Sequence, residues 1–340
     1  MTGWTGLVTR TRGLARHLLS EHELRAVDGC VTLRDLASRL VENGYLAAER
    51  AESIDTPAEI ELACRRIAAA RIAILERWTF DDGDVLSPFT LAEDVRSIRT
   101  LIRGAVAGAG ADARLRGLIP TATLPVRALA QLAGIDDPLA IGAVLTVWRH
   151  PLAHAVVADH AHEPDLLRLD CRLLDAWARV AMRVARRHGL ASIRRYVVET
   201  IDVANAVTAR LLAEQRSDLE TSALFVRGGA RIVEADLTSA AATHAVGPIA
   251  VRVRARGPDP VLETALSEAG SHVESALLAA RIAAARRASR RDPLDLAVVA
   301  LFFLRLRAEQ ARIVRAAWAC AMGVAQAWAN GQTIHRSVAA

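Results

Sequence analysis

A row of polar residues at steps of three, set on an otherwise apolar helix and returning twice, constrains this chain more than any other feature. In the stretch Leu91–Arg103 the row is Asp94, Ser97, Thr100 and Arg103. Helical periodicity puts Val95, Ile98, Leu101, Ile102 and Ala105 on the other side. The stretch Ile201–Thr208 repeats the start of the row as Asp202, Asn205 and Thr208, and Arg307–Arg315 gives Glu309, Arg312 and Arg315. Asp94, Asp202 and Glu309 stand 108 and 107 residues apart. Cys64 and Cys171 are also 107 apart, as are Ile119 and Val226, which sit in stretches that read as lead-ins to the second and third copies. Chance similarity in a chain rich in alanine, leucine and arginine is the competing explanation. Separate landmarks sharing one offset argue against it. The period is too long for a solenoid repeat, so each copy reads as a small helical domain: residues 1–112, 113–217 and 218–328, followed by a polar tail at 329–340.

Hydrophobic residues make up 52% of the chain and aromatics 4%, with the good helix formers alanine and leucine dominant. The expected class is therefore all-α. Period-2 alternation is confined to Ile249–Arg256, which predicts a short edge strand or a loop. The expected helices run over Thr9–Ser20, Leu33–Leu46, Ala58–Trp78 (opened by Thr56-Pro57), Ser87–Ala107, Leu124–Ala133, Pro138–Trp148, Leu166–Arg187, Ala191–Leu212, Val261–Ser289 and Arg291–Trp328.

The net charge is +5, and every basic residue other than histidine is arginine. Without lysine there is neither a Schiff-base amine nor a phosphate-loop lysine, so Gly-rich-loop nucleotide hydrolysis is excluded and no direct nucleotide binding is expected. The cysteines at 30, 64, 171 and 320 lack metal-type spacing and read as reduced core residues. Arg10, Arg12 and Arg16 have no apolar run behind them, so no signal peptide is expected. The longest apolar run, Leu296–Leu304, falls well short of the roughly 20 residues of a membrane span. A soluble protein that can sit at a membrane surface is expected.

Few residues suggest chemistry of their own. His150, His154, His160, His162 and Glu163 form the densest candidate metal cluster. Pro151 and Pro164 interrupt it, and a solvated loop is the expectation. Asp81, Asp82 and Asp84 lack the alternate oxygens and distal glutamate of a calcium loop and read as a turn capping the next helix. Arg281, Arg286, Arg287, Arg290 and Arg291 fit phosphate contacts with nucleic acid or anionic lipid. With no aromatic residues nearby to stack bases, they read instead as a solvated helix face near a helix C-terminus. No catalytic motif appears, so no metal, cofactor or active site is expected.

The spans Val8–Leu19, Glu93–Arg103, Thr200–Thr208, Phe225–Gly229, Asp292–Ala297 and Leu306–Arg315 resemble, in order and spacing, the C-subunit family of the archaeal and bacterial V/A-type ATPases (ATP synthases), relatives of the eukaryotic V-ATPase d-subunit. The asparagine that the family carries in its row helices is kept only at Asn205, with Ser97 and Arg312 in the other two copies. The resemblance implies a funnel of three helical units around a pseudo-threefold axis. It implies a non-catalytic rotor subunit between the central-shaft subunits of the soluble motor and the membrane proteolipid ring, cytoplasmic and peripheral at the inner face of the membrane. A socket lined by Arg96, Arg99, Arg103, Asn205, Arg312 and Arg315 would complement a partner's carboxylates. The repeat-defining Asp94, Asp202 and Glu309 fit equally well in such a socket or in hydrogen bonds inside each unit. An arginine-rich nucleic-acid-binding protein and an all-α enzyme using the histidine cluster are the alternatives from other classes, with no nucleic acid expected as a partner.

Overall fold

The computed structural model describes residues 4–48, 54–79, 84–158, 165–214, 220–267 and 273–324. These residues form helices and turns, with no strand among them, as the composition predicts. Helix α1 spans Trp4–Ala15, α2 Glu21–Asp28, α3 Leu33–Glu42 and α4 Pro57–Trp78. Ser20 and Thr56 each open their helix with a reciprocal capping box, pairing with Glu23 and Glu59 respectively. Such caps satisfy amides that a helix start otherwise leaves orphaned, at about 1 kcal/mol each. Helix α5 spans Ser87–Val106, α6 Ala111–Arg114, α7 Val126–Ala133, α8 Pro138–Val147 and α9 Ala153–Val157. Helix α10 spans Leu166–Arg187 and α11 Ala191–Glu214. A single 3-10 turn at Thr221–Leu224 leads to α12 (Glu234–Thr243), α13 (Gly247–Ala255), α14 (Pro260–Leu266), α15 (Val273–Arg291) and α16 (Ala297–Ala321).

Helix α1 begins five residues earlier than the expected Thr9 and ends at Ala15, α3 ends at Glu42 and not Leu46, and three further elements depart from the sequence-based expectation. The segment 249–256, expected as a strand or loop, is instead most of α13 with its C-cap Arg256; within it Ile249 and Val253 are buried and Val251 is exposed. An alternating run also contains positions four apart, and the Gly247-Pro248 start selects the helix. The single helix expected over Val261–Ser289 is two, because Ser267 is extended and ends α14. The last long helix begins at Ala297, later than expected, since Asp292 and Asp295 accept from the amides of Leu294 and Ala297 and hold the chain in turns first.

The helices α5, α11 and α16 carry the polar rows, and they come together through aromatic rings. Phe89, Tyr196 and Phe303 stand 107 residues apart in sequence. The Phe89 ring lies 5.2 Å from Tyr196 and 5.6 Å from Phe303, centroid to centroid. Trp177 of α10 meets Tyr196 edge-on, and its indole donates to the Pro88 carbonyl at 2.8 Å. Offset and edge-on aromatic pairs add about 1 kcal/mol beyond their buried area.

Each polar-row helix carries on its flank the segment that comes after it in the chain. The short helices α6, α7 and α8 pack on α5, and α12 packs on α11. Helix α16 closes the circuit by receiving α1, α2 and α3 from the start of the chain. A second hydrophobic cluster forms there, with Leu24, Val27, Leu36 and Leu40 against Ile313 and Ala317. The long helices interlock in the same sense, α10 against α5 and α4 against α16.

Candidate functional site

The polar rows lie inside the body, and their carboxylates sit at its joints. Asp94, Asp202 and Glu309 are buried to within 3% of full enclosure. A carboxylate buried this deeply is tolerated only when its oxygens are paired.

At the first joint, Asp94 accepts from the hydroxyl of Thr121 at 2.6 Å and from that of Thr123. His150 Nε2 lies 3.2 Å from the same carboxylate. His150 Nδ1 accepts from the Leu152 amide at 3.2 Å, so the other ring nitrogen carries the proton and donates to Asp94. The solvated loop expected for this histidine is therefore wrong at His150, which is buried because the positive-φ turn at Arg149 directs it inward. His154 is exposed beside Arg179, while His160, His162 and Glu163 lie outside the described residues. Asp81 and Asp82 also lie outside them. The carboxylate of Asp84 is held by Arg187 and His188 at the end of α10, and its carbonyl accepts from the Ser87 hydroxyl at the start of α5.

At the second joint, Asp202 accepts from three successive backbone amides, those of Ala230, Arg231 and Ile232, at 2.9 to 3.1 Å. One turn later, Asn205 pairs both ways with the Val226 peptide, donating at 2.8 Å and accepting at 3.0 Å. These bonds explain the Gly-Gly of Phe225–Gly229. Gly228 takes φ +105, and a Cβ at Gly229 would sit 2.4 Å from the Asp202 carboxylate.

At the third joint, Glu309 accepts from the Leu19 amide and from the Arg71 guanidinium, both at 2.5 Å. Arg71 donates in turn to the His17 carbonyl. The final polar-row helix thus grips the beginning of the chain, as the first two grip the segments around Thr121 and Ala230–Ile232. Sequence reasoning identifies the three carboxylates but misses Arg71, Thr121 and Thr123, and it singles out His150 only as a metal candidate, not as the partner of Asp94. The threonines lie in the lead-in already marked by Ile119, which is the available signal.

The arginines expected to line a socket divide into groups. Arg103 pairs with Asp170 of α10 at 2.5 Å and Arg99 approaches the same carboxylate at 3.7 Å, both half-exposed. Arg312 is bound to Glu21 and Asp28 of α2. Asn205 is wholly buried and cannot meet a partner in this fold. Arg96 and Arg315 line a cleft of about 280 Å³ between α4, α5 and α16, together with Glu61, Arg65, Glu93 and Arg307. Here Glu93 is shared by Arg307 at 2.7 Å and Arg96 at 3.7 Å. The cleft thus gathers four guanidinium groups and two carboxylates, Glu61 and Glu93. Arg281 departs from its expected solvated face: it is buried, lies over the Tyr196 ring and donates to the Thr200 hydroxyl at 2.7 Å. The neighbouring Arg286, Arg287, Arg290 and Arg291 are not buried, as expected. The cysteine thiols read as inert: burial pushes Cys64 and Cys171 up to about 12.

Burial by itself would raise the Glu93 carboxyl, but Arg307 and Arg96 outweigh it and hold it below the ordinary 4.5. A carboxyl lowered in the folded state contributes stability that is present above its unfolded value and lost as pH falls through the folded one. Glu93→Gln is therefore expected to be about 2 kcal/mol less stable than the parent at neutral pH, a gap that narrows as pH falls below the ordinary carboxyl value and through the lowered one. Urea unfolding at several pH values checks this, and a gap independent of pH would contradict it.

The model of the ATP synthase (C/AC39) subunit family matches residues 7–327. The chain belongs to the ATP synthase (C/AC39) subunit family. The V-type ATP synthase C-subunit of Deinococcus radiodurans is 33% identical over 156 residues, 44% of this chain and 43% of that protein. The V-type ATP synthase C-subunit of Thermus thermophilus is 28% identical over 210 residues, 59% of this chain and 62% of that protein. The chain thus aligns with less than two thirds of the length of each of these relatives. All three carboxylate joints of this C/AC39 chain fall inside the family match, Leu19 and Glu309 included. Nothing in these comparisons supports a nucleic-acid-binding protein.

Proposed function

We propose that this chain is a non-catalytic central-stalk subunit that couples the soluble ATPase shaft to the membrane proteolipid ring of a proton-transporting V/A-type ATPase. It is built as three helical units, residues 1–112, 113–217 and 218–328, around a pseudo-threefold axis near Phe89, Tyr196 and Phe303. The observation that carries this reading is the closed circuit of buried carboxylates, Asp94 to Thr121, Asp202 to Ala230–Ile232, and Glu309 to Leu19. A body that transmits torque needs stiffness in torsion. An open stack of helices can shear, whereas a ring closed by charge-assisted hydrogen bonds resists it. Family membership supports the setting. No described helix is long and apolar enough to cross a membrane, in keeping with a peripheral position at its inner face. The cleft with Glu93, Arg96, Arg307 and Arg315 is the seat for a carboxylate of the shaft or the ring.

Membranes carrying the complete motor are compared with membranes from which this chain has been deleted. ATP hydrolysis by the soluble part is expected to persist without it, ATP-driven proton uptake to cease, and the purified chain to restore uptake. Proton uptake that continues at its parental rate in the absence of the chain would overturn the proposal.

A further inference from the structure

A second cavity, of about 230 Å³, lies where α1, α15 and α16 meet, away from the cleft described above. Its charged wall is Arg12, Arg16 and Arg305, and its floor is apolar, with Val298, Leu301 and Phe302. Among the described residues no carboxylate lines it. Arg12 and Arg16 make no ion pair with any described residue. Arg305 donates to the Leu19 carbonyl at 3.5 Å. Glu309, one turn further along α16, is already engaged by Arg71 and the Leu19 amide. Ser289 turns its hydroxyl to the Arg286 carbonyl and adds no negative charge. Burial, and then the charge of Arg286, lowers the Arg305 guanidinium, against the opposite pull of Glu309. The cavity thus gathers three like charges, and the nearest carboxylate to act on them, Glu309, is shared with Arg71 and the Leu19 amide.

We propose that this cavity is a binding site for a phosphate group, its oxygens held by Arg12, Arg16 and Arg305 and the adjoining part of the ligand lying on the Val298–Phe302 floor. Planar guanidinium forks match phosphate oxygens in pairs, and a dianion relieves the mutual repulsion of the three arginines. A wall of arginines above an apolar floor suits a phosphate attached to something less polar better than free phosphate. The site is independent of the coupling role, because it is assigned and tested on the isolated chain.

The test is binding at fixed ionic strength, by calorimetry with pyrophosphate and by co-sedimentation with vesicles of phosphatidylglycerol or of phosphatidylcholine. The parent chain is expected to bind pyrophosphate or the anionic vesicles, and not the phosphatidylcholine vesicles. Anionic vesicles bound much more tightly than pyrophosphate identify a lipid headgroup as the source, and the reverse order identifies a soluble phosphate compound. Arg12→Gln with Arg16→Gln, both exposed positions that leave the fold intact, should weaken binding roughly tenfold or more per guanidinium. Arg305→Gln should do the same. Arg287→Gln with Arg291→Gln, on α15 away from the cavity, should retain parental binding. Absence of binding to either probe would overturn the proposal. So would binding that survives loss of Arg12, Arg16 and Arg305, or that tracks the Arg287 and Arg291 pair instead.

Discussion

Asp202→Ala is expected to lower the stability of the folded chain by about 3 kcal/mol or more, because it strands three backbone amides at one stroke. The amides of Ala230, Arg231 and Ile232 all point at this carboxylate, and the Ile232 side is buried. Asp202→Asn should cost less, about 1–2 kcal/mol, since its remaining oxygen can take the place of Oδ1, which accepts all three bonds. Gly229→Ala supplies an internal check. Its new Cβ meets Asp202 Oδ1 at 2.4 Å, so the substitution should be strongly destabilising in the parent and much less so once Asp202 is alanine. Urea unfolding of the parent, both single variants and the double variant measures the effect and the coupling. An Asp202→Ala chain within about 0.5 kcal/mol of the parent would mean that something else holds residues 226–232 in place.

Breaking the closing joint should have a comparable effect and a different signature. Arg71→Met leaves Glu309 buried without its counter-charge, and such a change costs about 3–5 kcal/mol. Burial already raises the Glu309 carboxyl above its ordinary value, with Arg71 and the Leu19 amide pulling the other way. A carboxyl raised in the folded state contributes stability below its unfolded value and loses it as pH rises through the folded one. The cost of Arg71→Met is therefore expected to shrink in mild acid, where the isolated Glu309 takes up a proton, and to be largest at neutral pH. Arg71→Met with Glu309→Gln should lose less than the two single changes together, which is the mark of a coupled pair. The local consequence comes from the circuit. The first three helices rest on α16 through this joint, so amide exchange in Glu21–Asp28 and Leu33–Glu42 should accelerate more than in α10. A uniform loss of protection across the chain would show that Glu309 does not close the ring.

These joints explain why the polar rows are legible as a regular spacing and ambiguous as a site. The spacing of Asp94, Asp202 and Glu309 comes from helical periodicity and from counting, which need no coordinates. Whether a polar face looks outward to a partner or inward to a loop of the same chain depends on what packs over it, and a row at steps of three is the same in both cases. Arg99 and Arg103 illustrate the point. As a cationic stripe they suggest a partner's carboxylates, yet their carboxylate is Asp170, which no local pattern connects to them. His150 reads as solvated because prolines flank its segment, but the turn at Arg149 carries it beneath Asp94, 56 residues away.

The all-α class, the spacing of the polar rows, most helix positions and the family can all be read along one dimension, since each rests on composition, periodicity or motif order. The partners of the three carboxylates, the union of Phe89, Tyr196 and Phe303, and the closing of the first residues onto the last long helix emerge only in three dimensions. Those outcomes depend on which buried acceptor reaches which distant donor. That is fixed by the simultaneous burial of the apolar faces of all the helices, a condition that no single stretch of sequence carries.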